Sequence, residues 1–247
     1  MKHIFTLFAM IVLFSLNVTA QTNYNLKVNG ITVTSDNAAA ITGDGITGTV
    51  KYDATSNVLT LDNATIAATG GNNAIMSKTD GLTIELVGTN TISSTSASTV
   101  CLFNEATITG KGSVSAECGN STAIQVMECP LTIKGGCKVT ASGIGGIAGL
   151  MATEWITINA SAVKASGFVF GAISDCFVKL VDCDIKSGGY SEEEVVIEPT
   201  TTGISTAAKL QPADTDAVYT TGGVRLGRVP ANGLYIKGGK KVLAGQR

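Results

Sequence analysis

The sequence predicts an all-β chain wound as a parallel β-helix, a solenoid of about six coils behind an N-terminal β-hairpin cap. Three observations carry this. A short apolar-Thr-apolar pattern recurs at Leu59-Thr60-Leu61, Leu82-Thr83-Ile84, Ala106-Thr107-Ile108, Leu131-Thr132-Ile133, in slightly shifted form at Trp155, Thr157 and Ile158, and, with Lys in the middle, at Val178-Lys179-Leu180. The intervals are roughly two dozen residues, the mark of a stacked repeat. Apolar side chains alternate within a repeat, as at Leu82, Ile84 and Leu86, which is the period of a strand with one buried face. Gly, Asn, Ser and Asp lie between the apolar stretches and supply the corners.

A second apolar point follows each pattern at Ile66, Ile92, Val114, Val139, Val163 and Ile185. A third cluster follows at Ala74 to Met76, Val100 to Phe103, Ala123 to Val126, Ile147-Ala148 and Val169 to Ile173. Three inward strands per coil describe a β-helix. A solenoid of helices would need Leu, Ala, Glu and Lys at 3.6 spacing, whereas these segments are crowded with Thr, Ile, Val and Gly. One coil cannot bury its own apolar face, so neighbours stabilise it and the ends need caps.

Taken in order, residues 1–20 read as an export leader. Lys2 and His3 precede an apolar run from Ile4 to Leu16, and Val18-Thr19-Ala20 offers small residues for cleavage near Ala20. The run is shorter than the roughly 20 residues a membrane-spanning helix needs, so the chain is expected to be secreted or surface-bound, without a transmembrane segment after cleavage. Residues 21–57 read as a β cap: Asn29-Gly30 is a hairpin turn between Leu26-Lys27-Val28 and Ile31-Thr32-Val33, and a second hairpin feeds the first coil. Residues 58–187 hold the coils. Residues 188–219 close the last coil and become a linker, with Ser191-Glu192-Glu193-Glu194 as a solvated face. Residues 220–247 form a tail.

The chain of 247 residues carries 19 acidic residues against 17 Lys plus Arg, for a net charge of −2. That balance offers no basic face and excludes a nucleic-acid partner. It also disfavours an enzyme. The one histidine is His3, in the leader, and the arginines are Arg225, Arg228 and Arg247, all in the tail. A lyase that uses Arg as base finds none in the coils. Lys111, Lys134, Lys138, Lys164 and Lys179 are the alternative bases, and ordinary exposed Lys is the plainer reading. For hydrolysis, Asp182 and Asp184 flank Cys183 and would project from one side of a strand, within the carboxylate spacing that glycosidases use. Nothing basic accompanies them, and no catalytic residue is assigned.

A row of acids, Asp80, Glu105, Glu128, Glu154 and Asp175, precedes the first strand of successive coils. Stacked like charges repel, and Ca²⁺ would relieve the repulsion. Glu105, Glu128 and Glu154 are the ligands such an ion would take, yet the uneven steps favour hydrated side chains and no cofactor is expected. Six cysteines are present; Cys101 with Cys129, one coil apart, is the one pairing proposed as a disulfide, the others being small core residues.

Binding residues are easier to nominate. Thr60, Thr83, Thr107, Thr132 and Thr157 would stack into an outward hydroxyl row, although Thr also simply suits strands and stacks on itself. The next row, with Asp62, Glu85, Thr109, Lys134, Asn159 and Val181, is too mixed for a regular ice-binding array. Trp155 is the one Trp, with Phe168, Phe170 and Phe177 nearby. Pointing outward it anchors a sugar-stacking patch; pointing inward it fills the core.

Two resemblances add to this. The run from Asn25-Leu26-Lys27-Val28-Asn29-Gly30 through Gly43-Asp44-Gly45-Ile46-Thr47-Gly48 to Leu59-Thr60-Leu61-Asp62-Asn63-Ala64 resembles the opening of exported β-helix proteins of Bacteroides-type gut bacteria, often labelled carbohydrate-binding or pectate-lyase-like. It covers residues 25 to 190 and implies a surface or secreted role without carrying catalytic residues over. Ala217-Val218-Tyr219, Gly222-Gly223-Val224-Arg225-Leu226 and Pro230 to Leu243 are similar to short C-terminal sorting tails of exported Bacteroidetes proteins; a small hairpin with a Gly-Gly turn is the other reading. The expectation is a non-catalytic binding or adhesion protein whose partner is a glycan or another cell-surface component. The alternative is a polysaccharide lyase or glycoside hydrolase, and a structural surface protein comes third.

Overall fold

The structure is a computed structural model that describes residues 20–150, 155–200, 218–220, 225–226, 233–237 and 240–244. The expected leader, residues 1–19, lies outside the described residues. Residues 1–200 and 201–247 form two separate units. Among the described residues there is no helix, and none therefore long and apolar enough to cross a membrane.

The first unit is a parallel β-solenoid of about five turns. It opens with β1 (Asn23–Val28), β2 (Ile31–Thr34) and β3 (Ile46–Asp53). The coils follow as β4 (Val58–Ala68) and β5 (Ile75–Ser77); β6 (Leu82–Val87), β7 (Thr89–Ser94) and β8 (Val100–Leu102); then β9 (Ala106–Gly110), β10 (Ser113–Cys118) and β11 (Thr122–Val126). The last are β12 (Leu131–Ile133) and β13 (Lys138–Ala148); β14 (Trp155–Asn159) and β15 (Ala162–Ser174); and β16 (Phe177–Val181), β17 (Cys183–Gly188) and β18 (Glu194–Pro199).

These strands stack into three parallel columns. The first runs β4, β6, β9, β12, β14, β16. The second runs through the far half of β4, then β7, β10, β13 and β15. The third runs β5, β8, β11 and the far ends of β13 and β15. Only the first column reaches a sixth strand, which is why six copies of the pattern make about five turns.

The N-terminal end is closed by antiparallel strands, as the cap predicts. Asn29 and Gly30 both take left-handed backbone, φ 49° and 75°, the geometry of the tight hairpin turn that Asn-Gly favours. β3 lies antiparallel on β4, and β1 antiparallel on β5, so the first coil's open edges are covered. At the other end β18 runs antiparallel between β15 and β17. The backbone N–H groups of Ala172 and Ile173 are taken by the carbonyls of Glu192 and Tyr190.

That closure corrects one sequence expectation. Ile185 was expected to carry the inward column into the sixth coil, but it is 42 % exposed, and Ile197 of β18 is fully buried opposite Val163 in its place. A second correction concerns register. Ile66 pairs with Ile92, but Ile92 pairs with Ala116, while Val114 sits on Asn90. The second column thus has two inward rows, Ala64, Asn90, Val114, Val139, Val163 and Ile66, Ile92, Ala116, Ala141, Ala165. The large residue changes row after the second coil, so each coil still offers one large and one small residue to the core, which keeps the packing volume steady.

Asn90 is the one carboxamide in those rows, and it is buried with its bonds made. Its Oδ1 accepts the Ala64 N–H at 2.8 Å, and its Nδ2 donates to the carbonyls of Val87 and Ser113 at 3.1 and 3.0 Å. A buried amide so satisfied links three coils without the desolvation penalty of an unpaired group.

The second unit contributes β19 (Val218–Thr220), β20 (Arg225–Leu226), β21 (Gly233–Lys237) and β22 (Lys240–Ala244), an antiparallel sheet in the order β20, β19, β21, β22. The hairpin expected of the tail is present, with Lys237 opposite Lys240. Of the expected closing segment and linker, 188–219, residues 201–217 lie outside the described residues.

Candidate functional site

The outer face of the first column collects most of the nominated binding residues. Its central row is Thr83 on Thr107, Thr107 on Thr132, Thr132 on Thr157 and Thr157 on Lys179. All four threonines are half-buried and alternate with fully buried neighbours such as Ile84 and Ile158. Thr60 does not belong to this row. Val58 pairs with Thr83, and Thr60 pairs with Glu85, toward whose Oε2 its hydroxyl donates at 3.5 Å. The row containing Glu85, Thr109, Asn159 and Val181 therefore begins at Thr60 rather than Asp62.

On the other flank of the threonines is an apolar row. Trp155 pairs with Phe177 across the ladder; their rings are stacked, with centroids 5.1 Å apart and planes at 29°. Both are about half exposed, at 51 % and 52 %, so Trp155 points outward. Because Leu131 pairs with both Ile156 and Ala106, Pro130 lies level with Trp155 and with Glu105. Exposed Pro130 continues the apolar row, which the sequence reading missed. A signal was there: Pro130, Trp155 and Phe177 each stand immediately before the repeated apolar-Thr-apolar pattern.

Exposed apolar residues concentrate at this end of the coils. Among the described residues, Leu150, Trp155, Phe168, Val169, Phe170, Phe177 and Ile185 are the exposed large hydrophobics of the last turns, and Val87 is the other one in the first unit. A soluble surface rarely leaves such residues clustered without an interaction to make.

The acids behave differently from the single file expected. Glu105 is level with Gly81 and Pro130, so Asp80 and Glu128 fall out of line with it. Glu128 and Asp175 take left-handed backbone at corners, φ 58° and 53°, and the corners differ in length from coil to coil. Glu154 lies outside the described residues. Among the described residues no group of three His, Cys, Asp or Glu side chains is placed to hold a metal ion.

Asp182 and Asp184 do not share a strand. Asp182 has φ 51° at the corner between β16 and β17, where its carbonyl accepts the Thr200 N–H at 2.8 Å. Asp184 is on β17 and pairs with Lys186 at 3.7 Å. The strand-rise spacing expected of them therefore does not apply. Of the lysines nominated as bases, Lys111 donates to the Gly135 carbonyl at 2.8 Å and Lys164 pairs with Glu194 at 2.8 Å.

Among the described residues no disulfide joins the cysteines, Cys101 and Cys129 included. Burial pushes the Cys101 thiol up to about 11, with the nearby Cys129 adding to the shift and Lys78 opposing it. Cys129 is buried and its thiol points to the Leu102 carbonyl at 3.4 Å.

Chemically, the assembled face offers an aromatic wall, a row of hydroxyls and a mixed polar flank. Comparison with family models, with curated proteins and with solved structures gave no match.

Proposed function

We propose that this chain is an exported, non-catalytic binding or adhesion protein that recognises glycan, or a related cell-surface component, through the outer face of its first strand column. The observation that carries the reading is the stacked, half-exposed pair Trp155 and Phe177 beside the threonine row. A pyranose presents an apolar C–H face and a rim of hydroxyls. An aromatic wall takes the first, and Thr107, Thr132 and Thr157 donate to and accept from the second. Successive threonines follow the strand spacing of about 4.8 Å, so an extended chain of sugar units meets a repeating surface.

The leader at residues 1–20 and the resemblance of residues 25–190 to exported, carbohydrate-binding-labelled β-helix proteins of Bacteroides-type bacteria support delivery outside the cell. The sorting-like tail at 220–247 is the means of holding the chain at the surface. No cofactor enters the reading.

The test is a glycan array probed with the full chain, followed by incubation with the retained glycan and an assay for new reducing ends. Retention with no new ends is the expected result. Shortened product would replace the binding reading with a lyase or hydrolase.

A further inference from the structure

A cleft lies at the N-terminal cap. β1 bulges against β2: Asn23 pairs with Thr34 and Lys27 with Thr32, so more residues of β1 than of β2 fill the interval. Asn25, inside the bulge, has φ 55° and its N–H bonds to the Asn23 Oδ1 at 2.8 Å. Bulges re-aim side chains at a sheet edge. Here the result is a cleft of about 210 Å³, lined by Asn23, Asn25, Lys27, Thr32, Met76 and Lys78 over the buried Leu26.

The cleft is anchored on its far side. The Lys78 N–H donates to the Asn25 carbonyl at 2.9 Å, Thr79 Oγ1 donates to the Tyr24 carbonyl at 2.6 Å, and the Lys78 ammonium sits 5.0 Å from the centre of the Phe103 ring. Lys27 lies between Thr32 and Met76 in the ladder. Two lysines therefore line one concavity that no carboxylate lines, and neither has an ion pair among the described residues. In a chain of net charge −2 this is a local reversal of sign, and a concave wall strengthens it.

The geometry points to this cleft as a binding site for a sugar unit that carries a tetrahedral anion, a sulfate or phosphate ester. The donors are compact ammonium charges with rotatable N–H groups, which bind a phosphate-type oxyanion as point charges. Asn23, Asn25 and Thr32 supply donors and acceptors for hydroxyls, and Met76 supplies an apolar side. The volume is below the roughly 300–1,000 Å³ of a drug-sized site and fits one ring. The cleft is independent of the Trp155 face, and its failure leaves that reading untouched.

The test is a titration of the full chain, followed by NMR, with N-acetylglucosamine 6-sulfate, glucose 6-phosphate, unmodified N-acetylglucosamine and inorganic phosphate. Wild type is compared with Lys27→Gln/Lys78→Gln and with Trp155→Ala. The expected result is shifts at Lys27, Lys78 and Phe103 with one or both esters. Affinity should weaken about tenfold or more for the neutral sugar, for inorganic phosphate and for the double variant, and be unchanged in Trp155→Ala. Both lysines are exposed, so the double variant keeps its fold and an unchanged amide spectrum confirms it. Equal binding of ester and neutral sugar, equal binding of inorganic phosphate, unaltered affinity in the double variant, or no binding of either ester would each overturn the assignment.

Discussion

Trp155 and Phe177 are neighbours in space because β16 lies on β14 in register, which stacks their rings 5.1 Å apart on the outside of the solenoid. An aromatic pair of this kind contributes about 0.5–1.5 kcal/mol beyond its buried area. Phe177→Ala is expected to lower stability by about that amount in urea unfolding and to shift the emission of Trp155, the one tryptophan, to longer wavelength. An unchanged spectrum would mean that the rings do not touch in solution.

Asn90 makes a sharper prediction. Replacing it with Ala leaves the Ala64 N–H and the Val87 and Ser113 carbonyls without their buried partner. Each unsatisfied group costs roughly 1–3 kcal/mol, so Asn90→Ala is expected to destabilise by about 3 kcal/mol or more. A fall in the urea midpoint with unchanged slope is the readout. Asn73→Ala, which removes one part-buried bond to the Ser98 carbonyl, should cost about 1 kcal/mol.

Close stacking can be probed through glycine. Gly110 has φ +117°, and a Cβ there would run into the Leu86 carbonyl oxygen on the coil below. Gly70 also has positive φ, but nothing lies near its absent Cβ. Gly70→Ala should carry only the left-handed cost of about 1–2 kcal/mol; Gly110→Ala should add a backbone clash and lower the unfolding midpoint much further. Equal effects would contradict coils packed backbone on backbone.

Cys101 gives a pH dependence. Its thiol is raised from an ordinary 9.0 to about 11, chiefly by burial. The folded state therefore holds the proton more tightly than the unfolded chain, so this contribution to stability is full below pH 9 and is lost as pH rises from about 9 towards 11. Alkylation at pH 8 is expected to be slower at Cys101 in the native protein than in urea. Lys78→Ala should slow it further, because the ammonium that opposes the shift is gone. Faster native labelling would contradict the burial.

The sequence carried the inward-outward alternation and the stacking of Thr83 on Thr107, since both follow from strand period and repeat length. It did not carry the coil-to-coil register at Thr60, at Val114 or at Ile185. A slip of two residues leaves every side chain on the same face, so alternation cannot detect it, whereas a slip of one would have reversed the pattern. The corner lengths fix those slips, and the corners are built from Gly, Asn and Asp with no hydrophobic signature. The replacement of Ile185 by Ile197 needed a strand that doubles back between β15 and β17, which no repeat period encodes. The cap cleft was hidden for a similar reason: it depends on a bulge and on the left-handed backbone of Asn25. On the outer face, Trp155 and Phe177 are legible by their type, while Pro130, and the stacking of Phe177 on Trp155, required knowing which residues share a row.

The central claim is that glycan meets the chain at the aromatic and threonine rows. Because Trp155 is the one tryptophan, its fluorescence during titration of the full chain with the glycan retained on the array tests this most directly. A saturable emission change, with the affinity measured for retention and lost together with retention in Trp155→Ala, is the predicted result. Binding that leaves Trp155 emission untouched and persists undiminished in Trp155→Ala would contradict it.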